Sequence, residues 1–219
     1  MIGVLMLDTR FPRPVGDIGN PASFDVPVLY ETVPLASPEL VVRGDPTPLL
    51  PDFIAAGRRL VDQGAQVIST SCGFLTLFQQ QLSEALDATV VTSSLLAVAQ
   101  VQSDLPQGQT VGILTISKNS LTPAHLDAAG VPQGVPIGAP EGTFATAILG
   151  NAPDFEMDTA RQEHVDAART LQRNHSNIGA FVLECTNMGP YARAIAHATG
   201  LPLHSIITVL AQAHAAQKS

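Results

Sequence analysis

Apolar residues occur along this chain in short continuous runs that alternate with segments of helical spacing. Uninterrupted runs are typical of strands that are buried on both faces of a parallel sheet. They predict strands at 2–7, 88–92, 111–116, 179–183 and 201–204, one that ends near Ile68, and a short one at 135–138. Helical spacing predicts helices at 51–63, 74–82, 93–103, 122–130, 141–149, 154–174, 188–198 and over the last residues. This alternation predicts a mainly parallel α/β fold that binds its ligand at the carboxyl ends of the strands.

Prolines are concentrated near the start of the chain. Nine of the 17 prolines fall within the first 51 residues, so residues 9–51 are predicted to be mostly ordered loop with one extended strand near Val26–Val33. A long loop that leaves the carboxyl end of a strand is a common substrate-binding lid, and it is equally a rigid connector across the surface. Both interpretations stay open.

Three segments of the first half recur in the second half at a nearly constant offset. Ile2–Leu7 resembles Val111–Ile116, residues 90–100 resemble 202–212, and the strand that leads to Cys72 resembles the one that leads to Cys185. The duplication predicts two similar lobes related by a pseudo-twofold axis, each a mainly parallel sheet flanked by helices, with the active site between them. The first lobe is predicted at 1–104 and the second at 105–219, with the option that the termini cross over between lobes.

Both cysteines of the chain occupy the same place in the repeat. Cys72 follows an apolar strand and precedes a helix, where free N–H groups and the helix dipole favour a thiolate. A lone cysteine at a strand end is more often a small packing residue. Two cysteines at equivalent strand ends are harder to explain by packing, and they predict two thiols in one cleft.

Composition excludes several classes of partner. The chain carries a net charge of -8 and no cluster of Lys or Arg, which argues against nucleic acid and against an anionic membrane. The apolar run at the N-terminus is too short for a signal peptide, and no segment has the length of a membrane-spanning helix. Free thiols without a secretory signal suggest a reducing compartment, so a cytoplasmic location is expected.

The expected chemistry needs no cofactor and no metal. A pyridoxal enzyme requires a Schiff-base lysine, and the only lysines are Lys118, which follows a strand, and Lys218 in the tail. A glycine loop for the phosphate is missing, although Lys118 by its position is not excluded. The chain has no Cys-x-x-Cys pair, and its six histidines show no metal-ligand spacing.

The segments Ser71-Cys72-Gly73 and Glu184-Cys185-Thr186-Asn187 resemble the aspartate/glutamate/hydantoin racemase superfamily. The resemblance covers the whole chain and implies two α/β lobes with one catalytic cysteine from each. It implies racemisation or epimerisation of small acids and hydantoins without pyridoxal phosphate, whereas relatives with one cysteine are decarboxylases or isomerases. Many members have Asn-Thr after the first cysteine, and Gly73-Phe74 stand here. That departure argues against glutamate as substrate and suggests a more apolar or differently shaped pocket.

The function expected from these residues is a racemase or epimerase of a small amino acid, carboxylate or hydantoin. A thiolate removes the α-proton on one face and a thiol returns a proton on the other. Elimination of a leaving group from the β-carbon would need only the base. The alternatives are a single-base decarboxylase or cis-trans isomerase of a small dicarboxylic acid, and a non-catalytic protein that binds small acids. The resemblance leaves a homo-oligomer open.

The residues expected to bind the substrate surround the two cysteines. Backbone N–H groups after each cysteine, three hydroxyl groups and one amide are candidate donors to a developing negative charge. The predicted set is Asp8, Asn20, Ser71, Gly73, Phe74, Thr115, Thr186 and Asn187. For Asp8 a turn role is an equal alternative, and for Asn20 it is the favoured one. Glu184 is unusual beside a cysteine but receives no role, and His204 is the one histidine suspected of tuning a thiol.

Overall fold

The computed structural model describes residues 1–217, and Lys218 and Ser219 lie outside the described residues. The strands are β1 (Ile2–Leu7), β2 (Val28–Val33), β3 (Val67–Thr70), β4 (Thr89–Val91), β5 (Thr110–Leu114), β6 (Ile137–Gly138), β7 (Ile178–Leu183) and β8 (Leu203–His204). The helices are α1 (Pro38–Arg43), α2 (Leu50–Asp62), α3 (Gln79–Ala85), α4 (Val98–Asp104), α5 (Pro123–Ala128), α6 (Thr143–Leu149), α7 (Met157–Asn174), α8 (Ala192–Thr199) and α9 (Ile206–Ala216). Short 3-10 segments occur at Pro21–Ser23, Thr47–Leu49, Gly73–Phe78, Ser94–Ala97 and Gly189–Tyr191.

Two four-stranded parallel sheets form the framework. Their strand orders are β2-β1-β3-β4 and β6-β5-β7-β8, so each strand of the first sheet has an equivalent in the second. The predicted α/β fold with two similar lobes is therefore confirmed. β3 ends at Thr70 and β7 at Leu183, and a single residue separates each end from the following cysteine. The duplication thus places both thiols at the carboxyl edge of a central strand.

The central strands are continuous in apolar residues because helices cover both of their faces. Every residue of β1 and of β7 is buried. On one side of the first sheet α2 contributes the buried side chains of Phe53, Ala56 and Leu60, which recur at helical spacing. Within residues 1–217, no helix is long and apolar enough to cross a membrane.

The two lobes exchange a helix. α9 follows the last strand of the second sheet, yet Ile206, Val209 and Leu210 pack with Ile2 and Val4 of the first sheet. α4 follows the last strand of the first sheet, and Gln102 on it accepts the backbone N–H of Val111 in β5 at 3.0 Å. A chain division at 104–105 stays a prediction, because each of these helices packs on the lobe that it does not belong to in sequence.

The proline-rich region contains more structure than the sequence predicted. The strand near 26–33 is present as β2, but α1 was not predicted. Ser37 caps this helix by accepting the Leu40 N–H at 3.2 Å, and Pro38 occupies the first turn. The helix predicted at 74–82 is also different, since it begins as a 3-10 segment and becomes α-helical only at Gln79.

Candidate active site

A narrow cleft lies between the lobes, at the carboxyl ends of their central strands. Both cysteines line it, together with a polar floor and an apolar wall. The floor also contains Ser71, Gly73, Glu184, Thr186 and Asn187, and the wall contains Leu7, Phe11, Pro38, Val42, Phe74, Ile116, Ile148 and Leu149. The cavity volume is about 20 Å³, which is room for one water molecule. The cleft as it stands is closed around its two thiols.

Cys72 is half-buried and caps the start of the 3-10 segment Gly73–Phe78. The pKa of its thiol is raised to about 12, first by burial and then by the charge of Glu184. The backbone N–H groups of Phe74 and Leu75 and the charge of Arg13 act in the opposite direction. The backbone donors at the start of the helical segment lower the pKa as predicted, but desolvation outweighs them, so the predicted net fall of the thiol pKa is wrong.

Cys185 is the more deeply buried thiol. Its Sγ donates to the side-chain oxygen of Asn187 at 3.6 Å. Burial raises the pKa of Cys185 well above its usual range, and the charges of Glu184, Cys72 and Asp17 raise it further against one backbone donor at Asn187. Two backbone donors and Arg13 favour the Cys72 thiolate against one neighbouring charge, whereas one backbone donor favours the Cys185 thiolate against three. The equivalent positions of the repeat are thus chemically unequal.

A buried polar chain supports the second cysteine. Asn187 donates from Nδ2 to Asp17 Oδ2 at 2.7 Å, and Arg13 Nη1 forms an ion pair with Asp17 Oδ1 at 2.8 Å. Asp17 is 1% exposed and also accepts the Gly19 N–H. Asp17 is not among the residues predicted from the sequence, because its segment resembles an ordinary Pro/Gly loop. The presence of Arg13 four residues earlier was the only sequence signal that it has a charged partner.

Two buried hydrogen bonds join the lobes at the floor of the cleft. Thr186 of the second lobe donates from Oγ1 to the backbone carbonyl of Ser71 in the first lobe at 2.7 Å. In the reverse direction, Ser94 donates from Oγ to the backbone carbonyl of Leu183. We call these two hydrogen bonds the floor bonds. One ties the residue before Cys72 to the second lobe, and the other ties the end of β7 to the first lobe.

Two of the three hydroxyl groups predicted as donors to the substrate donate within the protein. Thr115 donates to Glu184 Oε2 at 2.7 Å, and Thr186 donates to a backbone carbonyl. Thr115 lies beneath the cleft and does not line it. The Ser71 hydroxyl accepts the Leu7 N–H at 2.8 Å, which leaves its own O–H group able to donate into the cleft. Ser71 and the backbone N–H groups beside the cysteines therefore remain the candidates for holding a negative charge.

Other predicted residues lie away from the cleft. Asp8 is exposed at the end of β1, and Asn20 caps the 3-10 segment Pro21–Ser23 through the Ala22 N–H. His204 is half-buried on β8, where burial lowers its pKa and the charge of Asp104 opposes that effect. Lys118 lines a groove beside α7. No group of residues that could hold a metal ion is found in the described part of the chain.

Gly73 is required by the geometry of the cleft. A methyl group on Gly73 would overlap both Oε1 and the backbone carbonyl oxygen of Glu184, and it would lie 3.0 Å from Ser93 Oγ. Glycine here lets the Glu184 carboxyl group reach from the second lobe to the residue that follows Cys72. Many members of the family that the motifs resemble have Asn at the position of Gly73. In this chain the space of that side chain is taken by the Glu184 carboxyl group.

Gly73→Ala is expected to lower the free energy of unfolding by about 1–3 kcal/mol, because a backbone oxygen cannot move aside as a side chain can. Urea unfolding measures the loss. Gly138→Ala is the matched control, since its nearest neighbour is a flexible Leu171 methyl at 3.2 Å. Equal stability of the two variants would contradict the packing described here.

The chain matches no family model, but it has clear relatives in sequence. A dimethylsulfoniopropionate lyase from Durusdinium sp. clade D is 27% identical over 216 residues, which cover 94% of this chain and 71% of that protein. Dimethylsulfoniopropionate lyase 2 from Emiliania huxleyi is 28% identical over 246 residues, which cover 95% of this chain and 70% of that protein. These relatives are named as lyases, so they support an enzyme without supporting a racemase specifically.

Solved structures establish the fold. A mutant of arylmalonate decarboxylase in a sulfate-associated form has a TM-score of 0.65 at 16% identity, with 98% of this chain and 91% of that chain covered. Glutamate racemase from Bacillus anthracis has a TM-score of 0.60 at 17% identity, with 100% and 82% covered. The fold expected from the cysteine motifs, that of the aspartate/glutamate racemase superfamily, is therefore confirmed.

Proposed function

We propose that this chain is a cofactor-independent lyase that removes the α-proton of a small carboxylic acid and expels a β-substituent, with dimethylsulfoniopropionate as the first substrate to test. The sequence relatives support the substrate, since they match nearly the whole chain and carry that name. A cysteine thiol that lines the cleft supports removal of the α-proton, which is the first step of this reaction. The finer expectation of an amino-acid or hydantoin racemase becomes the second candidate.

The observation that carries the proposal is the chemistry of the cleft wall. Among the described residues that line the cleft, none is lysine, arginine or histidine, and Glu184 is the only charged type. A dimethylsulfonium group is a cation without hydrogen-bond donors, so it suits an apolar wall that contains the rings of Phe11 and Phe74 and a nearby carboxyl group. An α-ammonium group would need several acceptors at the same place, and the apolar wall offers none.

The proposed reaction needs one base. The Cys72 thiolate removes a proton from the α-carbon, the electron pair of that C–H bond forms the Cα–Cβ double bond, and the Cβ–S bond breaks. Dimethyl sulfide leaves as a neutral molecule, acrylate remains, and the proton resides on Cys72. Backbone N–H groups beside the cysteines hold the carboxylate while charge develops on it. Cys72 is the base in this proposal because it is the less buried thiol and because two backbone donors and the charge of Arg13 favour its thiolate.

The direct test is a headspace assay for dimethyl sulfide with purified protein and dimethylsulfoniopropionate, combined with detection of acrylate. Both products are expected in a one-to-one ratio. The matched control is the double variant Cys72→Ala/Cys185→Ala, prepared and assayed in the same way. If the native protein forms no more dimethyl sulfide than the double variant, the proposed substrate is wrong.

One observation favours racemisation as the second candidate. Each lobe supplies one thiol to the same cleft, whereas elimination needs only one base. Incubation in deuterated water with amino acids, hydantoins and substituted malonates distinguishes the two functions. Incorporation of deuterium at the α-carbon with loss of optical activity, and without any eliminated product, would favour the racemase.

A further inference from the structure

Glu184 is a buried carboxyl group that the proposed reaction does not yet use. It is fully buried at the end of β7, directly before Cys185. Its Oε2 accepts the Thr115 hydroxyl at 2.7 Å, and the carboxyl group also accepts the backbone N–H of Ile116. Its Oε1 has no hydrogen-bond partner among the described residues, and it points at Gly73, the neighbour of Cys72. The carboxyl group therefore lines the same cleft as the two thiols, and one of its acceptor atoms has no partner among the described residues.

Burial favours the protonated form of Glu184. Burial raises its pKa to about 7, and the two hydrogen bonds from Thr115 and Ile116 only partly oppose this. The titratable groups near it are Cys72 on the first lobe and Cys185 on its own strand, and its charge raises the pKa of both. Arg13 is paired with Asp17 in the loop above. The three acidic groups of the cleft therefore titrate together and share their charge.

We propose that Glu184 is the proton acceptor that generates the reactive thiolate. The proton of the Cys72 thiol moves to Oε1 through one water molecule, for which the cleft has room, so the S–H bond breaks, an O–H bond forms on Oε1, and the negative charge passes from the carboxylate to the sulfur. The cleft holds one negative charge before and after this step, which avoids placing two charges in a site with room for one water. The inference rests on the proposed function for its reaction, but the acid-base coupling exists without any substrate.

Proton balance gives Glu184 a second task in each turnover. Elimination converts a substrate without net charge into a neutral sulfide and an anion, so one proton must leave the cleft. After the reaction both Cys72 and Glu184 are protonated. Glu184 is the group that can release its proton at neutral pH, because its pKa of about 7 lies far below that of the thiol. The carboxyl group thus returns the site to its singly charged form.

The coupling predicts how thiol reactivity depends on pH. In the native protein the singly charged form accumulates as the pH rises to about 7, and further alkali adds little thiolate because a second charge is opposed. Above pH 7 the alkylation rate is expected to rise by clearly less than about tenfold per pH unit, because a second ionisation places two charges in one cleft. In Glu184→Gln the carboxylate is absent, so the negative charge can form only on the sulfur of Cys72. Its alkylation rate is expected to rise about tenfold per pH unit, without an inflection near neutrality, until the thiol itself titrates.

The experiment measures alkylation by iodoacetamide against pH in the Cys185→Ala background, so that only Cys72 reports. Glu184→Gln is compared with Glu141→Gln, which removes an exposed carboxylate of the same lobe. A third variant, Thr115→Val, removes a bond that lowers the pKa of Glu184 and is expected to move the inflection to higher pH. It also keeps the test valid if Glu184→Gln does not fold.

Two results would overturn the inference. One is an inflection near pH 7 that persists in Glu184→Gln, since Glu184 would then not control the charge. The other is a Thr115→Val profile identical to the native one. Because the assay contains no substrate, these outcomes are independent of the lyase assay: absent dimethyl sulfide rejects the proposed function, whereas an unaltered alkylation profile rejects the role of Glu184.

Discussion

Cys72→Ala is expected to reduce the rate of dimethyl sulfide formation by about 10²- to 10⁴-fold, which is the usual contribution of a positioned general base. The surroundings of Cys72 favour its thiolate, because two backbone N–H groups and the charge of Arg13 oppose the effects of burial and of Glu184. Alanine removes the only atom of this side chain that can take the α-proton. Steady-state assays at pH 7.5 with the native protein and the variant measure the loss.

Cys185→Ala is the matched variant for this prediction. The Cys185 thiol donates a hydrogen bond to Asn187 Oδ1, and the charge of Asp17 opposes its ionisation, so it is expected to remain a thiol. Elimination in this variant should continue at a measurable rate, whereas exchange of both α-hydrogens in deuterated water should be restricted to one of them. A variant Cys72→Ala that retains activity within about tenfold of native, while Cys185→Ala is inactive, would reverse the two roles.

Asp17→Ala is expected to lower the free energy of unfolding by about 3–5 kcal/mol, because it leaves a largely buried charge without its partner. Arg13, whose side chain is 12% exposed, would lose its ion pair, and the Asn187 amide would lose its acceptor. Urea unfolding at pH 7.5 measures the loss.

Asp25→Ala is the control for the Asp17 experiment, because Asp25 is an exposed aspartate in the same proline-rich region. The double variant Arg13→Ala/Asp17→Ala tests the mechanism, since removal of both charges should cost less than the sum of the single changes. If the losses in the free energy of unfolding of the two single variants simply add up in the double variant, Arg13 and Asp17 do not stabilise each other. The ion pair would then not contribute to stability.

The fold could be predicted because the duplication repeats buried strands, and buried parallel strands carry a strong signal. Ile2–Leu7 and Val111–Ile116 are apolar for a structural reason, namely that both faces of their sheets are covered. Short elements with capping signals were harder. Ser37 and Pro38 begin α1 in a region that is otherwise rich in proline, and there the composition concealed a helix of six residues.

The sequence predicted those parts of the site whose positions follow from the order of strands and helices alone. A residue that follows a central strand must lie at the carboxyl edge, so the two cysteines were found from sequence. The burial of Asp17 depends on how the loop after β1 folds over the second lobe, and no local pattern encodes that. The shift of the thiol pKa also depended on tertiary burial, which is why the sequence predicted its direction wrongly.

The floor bonds determine how a substrate can enter. Swinging the lobes apart would break the Thr186–Ser71 and Ser94–Leu183 bonds, at about 0.5–1.5 kcal/mol for each even when water replaces the lost partner. The apolar wall of the cleft comes from several separate segments, including Phe11, Val42 and Leu149, and its side chains can move without breaking those bonds. We therefore expect ligand exchange to depend on movement of these side chains, on a scale of about nanoseconds to microseconds, more than on a slower hinge motion between the lobes.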